Sequence, residues 1–127
     1  LVTQAGQAGL QRCLQAAAEA RAAAAALDRA AEGEAGQADR RLYRALQNAL
    51  GEVADAVAEL PPALAARHPE VDWSGWAGLR EVLAHQYLRL ALPRLRPTIL
   101  DELPLLVRAL EAECAVARTA ERTRGAP

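Results

Sequence analysis

Apolar positions recur at three- and four-residue intervals along most of the chain, and the breaks in that rhythm predict four main helices. The first covers about Thr3 to Ala31, with Leu10, Leu14, Ala17, Ala24 and Leu27 on one stripe. That stripe is thin and alanine-rich. A neighbouring backbone can approach it closely, and a second subunit is expected to cover part of it. The polar, glycine-rich run from Glu32 to Gln37 predicts a loop. A second helix follows over about Asp39 to Leu60, capped by Asp39, with Leu42, Leu46, Leu50, Val53, Val57 and Leu60 facing inward. Pro61-Pro62 ends it, and a short helical turn through Ala65 precedes Pro69.

The third helix is expected to start near Asp72 or Ser74, either of which can cap it, and to end near Leu90, before Pro93. It carries Trp76, Leu79, Val82, Leu83 and Tyr87 as its apolar set. The fourth starts around Arg96-Pro97, with Ile99, Leu103, Leu106, Leu110 and Cys114 inward and a bend expected at Pro104. The polar segment 118–127 is expected to fray. The whole describes an all-α, antiparallel bundle of four to five helices in a single domain over residues 1–127.

Composition narrows the class further. Hydrophobic residues make up 52% of the 127, yet aromatics only 3%, and Ile99 is the one isoleucine. Alanine supplies much of the apolar count, which favours helices and leaves too few β-branched residues for a sheet. A net charge of −1 gives nucleic acid no global attraction, so RNA binding would need a local basic patch. All fifteen basic residues are arginine. Four of them, Arg80, Arg89, Arg94 and Arg96, fall in one window with Glu81 as its one carboxylate, whereas Glu52, Asp55 and Glu59 make the second helix acidic. Cys13 and Cys114 lack the spacing of a zinc site and read as buried free thiols. No apolar run approaches the roughly twenty residues of a membrane span. The expectation is a soluble, cytoplasmic protein with no metal and no cofactor.

One window carries chemistry: Arg80-Glu81-Val82-Leu83-Ala84-His85-Gln86-Tyr87, an R-x-x-x-x-H-x-Y array placed after Trp73 and Trp76. On an ideal helix Arg80 and Tyr87 fall within about 20° of each other, while His85 lies about 140° around from Arg80. Both reach one phosphate only if the side chains wrap, the helix distorts, or a second subunit brings its own copy to a two-fold axis. Glu81 and His85 are spaced to form an i, i+4 pair. Elsewhere the bland readings prevail. Trp73 and Trp76 are packing anchors, His68 is a loop or capping residue, and Tyr43 is structural. Asn48 can either reach a cleft or bond a neighbouring helix.

The stretch from Arg67 to Leu106 resembles the HepT-like branch of the HEPN superfamily, toxins paired with minimal nucleotidyltransferase antitoxins. The resemblance rests on His68-Pro69-Glu70, Trp73, Arg80, Leu83-Ala84-His85, Tyr87 and Leu103-Pro104, in register without gaps, with a looser match through the second helix. Three positions depart from the pattern. Glu81 stands where Asn or Asp is usual, Ala91 where an Asp is common, and Arg96 where a Trp is common. The resemblance implies a metal-independent endoribonuclease, with His85 as general acid or base and Arg80 stabilising the phosphorane. It further implies a homodimer or higher even oligomer that joins two motifs in a cleft, and AMP transfer to Tyr87 by a cognate nucleotidyltransferase as the silencing step. Glu81 adds a carboxylate beside the phosphate site, where it repels RNA or competes for Arg80 or His85. It feeds the alternative of a non-catalytic HEPN subunit that binds and positions a nucleotidyltransferase or its nucleotide.

Overall fold

The computed structural model describes residues 4–31, 37–85 and 97–125. These form helices α1 (Gln4–Ala31), α2 (Gln37–Ala58), α3 (Pro62–Ala66), α4 (Trp73–Ala77), α5 (Leu79–His85), a π-helical turn (Thr98–Glu102) and α6 (Leu103–Gly125). Among the described residues there is no strand. The fold is an all-α bundle in which α1 packs against both α2 and α6, and α2 also carries α4 and α5.

Small side chains set the spacing at the centre. The inner face of α1 is Leu10, Cys13, Ala17, Ala20 and Leu27, all buried, with Ala16 and Ala23 beside them. Alanines at these positions let α2 come close with Leu46, Leu50, Val53 and Val57. The two helices run antiparallel, since Arg12 near the start of α1 pairs with Glu59 just past the end of α2. α6 is antiparallel to α1 as well: Gln11 meets Cys114, and Gln7, one turn earlier on α1, lines the same groove as Arg118 and Glu121 further along α6. Leu103, Leu106 and Leu110 of α6 are completely buried. Each such leucine contributes roughly 1.5–3 kcal/mol relative to an exposed one. Both cysteines are free and buried, and burial pushes the Cys13 thiol up to about 12.

Several boundaries differ from the expected ones for identifiable reasons. α2 begins at Gln37, so Asp39 lies inside the helix and not at its cap. The expected third helix is broken at Gly78 into α4 and α5. Asp72 caps α4 by accepting a hydrogen bond from the Gly75 amide at 3.1 Å, and buried Trp76 pins this five-residue helix to the core. Val82, placed inward by the pattern, is exposed, because Leu79 and Leu83 take the core face of α5. The expected bend at Pro104 is expressed just upstream as the π-helical turn Thr98–Glu102. Proline removes an amide donor and crowds the carbonyl four residues back, and a wider turn relieves both. At the other end, α6 continues as helix to Gly125, through the segment expected to fray. The loop expected at Glu32 falls mostly on residues outside the described set, as do Tyr87, Leu90, Arg94 and Arg96.

Candidate functional site

Arg80 stands in the first turn of α5, on the side that faces α2. Its Nε donates to Asp55 Oδ1 and its Nη2 to Asp55 Oδ2, each at 2.7 Å. This side-on pairing is the geometry that gives arginine–carboxylate contacts their directionality. The guanidinium lies flat against α2 at Gly51, where a Cβ would stand 2.9 Å from Nη2 and 3.1 Å from Cζ. Hydrogen bonding to Asp55, reinforced by the charges of Asp55 and Glu52, holds Arg80 above the usual arginine range. Both partners remain more than half exposed. The fork is therefore anchored on one edge and open to solvent.

The charge pattern of the sequence separates a basic motif from an acidic second helix. The fold brings the two together, since Arg80 lies on the acidic face of α2, beside a groove lined by Glu52, Asp55 and Glu59. Arg12 neutralises the far end of that groove by pairing with Glu59 at 2.9 Å.

His85 closes α5 and is exposed. Its ring has no hydrogen-bond or ion-pair partner among the described residues, and neither has Glu81. The Glu81–His85 pair allowed by the spacing is not formed, and Glu81 does not compete for Arg80, whose partner is Asp55. Arg80 and His85 stand on different sides of α5, about 140° apart by helical geometry. Asn48 is exposed and lies on the same face of α2 as Gly51 and Asp55, one turn earlier. Tyr87, expected two residues past His85, lies outside the described residues.

A second polar cluster ties the α3–α4 connection to α6. Glu113 of α6 is buried, and both its oxygens are used. Arg67 donates to it through Nε and Nη2, and His68 Nε2 lies 3.1 Å from Oε2. His68 Nδ1 faces Glu70 at 3.4 Å, and its carbonyl accepts from Trp73 Nε1 at 2.9 Å. Hydrogen bonding from Arg67, and then from His68, holds the Glu113 carboxyl below its ordinary range against the opposing effect of burial. His68, read from sequence as a loop or capping residue, is thus the central link of a clamp joining α6 to the turn before α4. Trp73 and Trp76 are packing residues as expected, the one half-buried and the other buried.

Two residues form the Arg80 seat: Asp55, counted from sequence only as one charge of an acidic helix, and Gly51, which the sequence reading passed over. A signal for one of them was present. Gly51 is a lone glycine in the interior of an otherwise regular helix, where it is destabilising by roughly 0.5–1 kcal/mol relative to alanine. No positive φ requires glycine there. What a side chain there would meet is the Arg80 guanidinium, which would have to shift.

Among the described residues no three His, Cys, Asp or Glu side chains converge in a cluster able to hold a metal ion, and no helix is long and apolar enough to cross a membrane. The model of a family described as Ribonuclease HepT-like matches residues 10–113, well over half of the chain. No curated protein and no solved structure matches it.

Proposed function

The chain belongs to the HepT-like ribonuclease family, whose substrate is RNA, and we propose that it is a metal-independent endoribonuclease acting through Arg80 and His85. The observation that carries the proposal is the presentation of α5: an arginine fork anchored on one edge and open on the other, with an exposed imidazole later on the same helix that has no partner among the described residues. Phosphodiester cleavage by the neighbouring 2′-hydroxyl needs these two functions and no bound metal. A base takes the 2′-hydroxyl proton, the oxygen attacks phosphorus, and a trigonal-bipyramidal phosphorane forms. The P–O5′ bond then breaks, the leaving oxygen takes a proton from a general acid, and a 2′,3′-cyclic phosphate remains. Histidine is the side chain suited to proton exchange near neutral pH. A guanidinium with free donors stabilises the extra charge on the phosphorane.

Arg80 and His85 of one chain face different sides of α5, so the reading includes a homodimer in which two copies of the motif share one cleft. The exposed Val82, between Arg80 and His85 on α5, supports contact along this helix. In such a cleft one His85 serves as base and the second copy's His85 as acid. The protein then acts as the toxin of a cytoplasmic toxin–antitoxin pair. Its partner is a minimal nucleotidyltransferase that transfers AMP to Tyr87, setting negative charge and bulk beside the motif and excluding RNA.

Expression in a host lacking the partner tests this reading. Growth arrest by the wild type, relieved by Arg80→Ala and by His85→Ala, is expected. Equal arrest by all three proteins overturns the catalytic assignment. A chain that neither arrests growth nor cuts RNA is instead a non-catalytic partner subunit, with Glu81 as the first residue to revert.

A further inference from the structure

Arg80 is more than half exposed, so burial does not fix it. An unrestrained arginine at such a site samples many rotamers. This one is held by the two 2.7 Å hydrogen bonds it donates to Asp55 and by contact with the bare backbone of Gly51. Gly51 and Asp55 are four residues apart on α2 and therefore share a face, one as the floor of the seat and the other as its wall. The glycine is not there for its conformation, since its φ is negative like every other φ in the described chain. Alanine in a helix interior is the more stable choice. What alanine would remove is the space under Nη1, Cζ and Nη2, each within 3.2 Å of the Cβ position.

We infer that Gly51 and Asp55 are positioning residues for Arg80, forming a seat on α2 that aims the free edge of its guanidinium at the phosphate under attack. The inference rests on the nuclease reading above. A guanidinium has five N–H donors in a fixed plane. Asp55 occupies Nε–H and one Nη2–H, and the remaining three have no partner among the described residues. These three lie on the edge away from Asp55, enough to grip two phosphate oxygens. Because the orientation is set before RNA arrives, it does not have to be found in the transition state. The Asp55 carboxylate also repels the phosphate chain, so its removal does not weaken RNA binding through charge. A positioning role therefore lowers kcat while leaving KM unchanged or reduced. A carboxylate that merely blocked Arg80 would give the opposite result.

The experiment uses the full chain, a labelled single-stranded RNA and excess EDTA. Asp55→Asn is expected to lower kcat about 10- to 100-fold, the range for a displaced catalytic group, with KM unchanged or lower. Gly51→Ala is expected to lower kcat to a similar degree while melting at or above the wild-type temperature, which a merely structural glycine would not do. Asp55→Asn combined with Arg80→Ala is expected to be no slower than Arg80→Ala alone. Nε–H resonances of the arginines report the seat without reference to activity: the Arg80 signal is expected to be protected from exchange in the wild type and lost in both single variants. Wild-type or faster cutting by Asp55→Asn or Gly51→Ala, with Arg80→Ala inactive, overturns the positioning role and leaves the nuclease reading standing. A protected Arg80 signal in a chain whose cutting is unchanged by Arg80→Ala overturns the nuclease assignment itself, and the role of the seat with it.

Discussion

Arg80 of α5 and Asp55 of α2 are joined by two parallel hydrogen bonds of 2.7 Å, across a pair of helices whose contact is left open at Gly51. This pair ties the motif helix to the core helix next to it. It also decides how the neighbouring charges act, because Arg80 is already satisfied on one edge and Glu81 is left without a partner among the described residues.

Glu81 is therefore expected to act on RNA through space and not by capturing Arg80. Glu81→Asn is expected to lower KM about 2- to 5-fold at low salt, as one exposed charge a few ångströms from a phosphate is worth around 1 kcal/mol in water. The gain should fade as ionic strength rises and the Debye length shrinks. Titrating RNA binding against salt for both proteins checks it, and an unchanged KM places Glu81 away from the RNA path.

Tyr87→Phe is expected to cut RNA as the wild type does but to escape silencing. Incubation with a cognate nucleotidyltransferase and ATP, followed by mass analysis and the cleavage assay, reads both properties. AMP on the variant, or continued silencing, moves the acceptor elsewhere.

The clamp around Glu113 makes a stability prediction with a defined pH dependence. Glu113→Ala is expected to lose roughly 1.5–3 kcal/mol, the range for a hydrogen bond to a charged group, with the half-exposed Arg67 left to water and His68 left without its Glu113 contact. The folded carboxyl is held below its ordinary range, so the native state binds that proton less readily than the unfolded chain does. Its contribution is complete above the unfolded carboxylate value of about 4.3 and is lost as pH falls through the lower folded value. Denaturant midpoints of the two proteins should differ at neutral pH and approach each other in acid. A gap that persists undiminished in acid contradicts the clamp.

Cys13 titrates in the other direction. Burial raises the thiol from 9.0 to about 12, so its neutral form is the folded one. The stability it contributes is complete below about pH 9 and is lost as pH rises from there toward 12. At pH 8 the native thiol is expected to resist alkylation that goes to completion in the unfolded chain. Equal rates in the two states would contradict its burial.

Much of this fold follows from local periodicity. The inward residues expected for the last helical segment, Ile99, Leu103, Leu106, Leu110 and Cys114, are all buried, as are Leu46, Leu50, Val53 and Val57 of α2. Leucine and valine at three- and four-residue spacing leave little freedom in which face turns inward. The inner face of α1 was less legible, because alanine occupies both its buried and its exposed positions and only packing separates Ala20 from Ala22. The break at Gly78 and the exposure of Val82 depend on how two short helices meet the core, which a continuous pattern does not encode. The site divides in the same way. Arg80 and His85 are conspicuous as a motif. Asp55 lies 25 residues from Arg80 in sequence, and nothing local to either residue announces the pairing. Gly51 alone carried a signal, as a glycine where a helix gains nothing from one.

The proposed activity is cleavage of RNA without metal by Arg80 and His85. Its most direct test is incubation of the purified wild-type chain, free of AMP on Tyr87, with a labelled single-stranded RNA in excess EDTA, beside Arg80→Ala and His85→Ala. Cutting by the wild type alone, leaving 2′,3′-cyclic phosphate ends, is the predicted result. No cutting by a folded wild-type dimer, or equal cutting by the two variants, would contradict it.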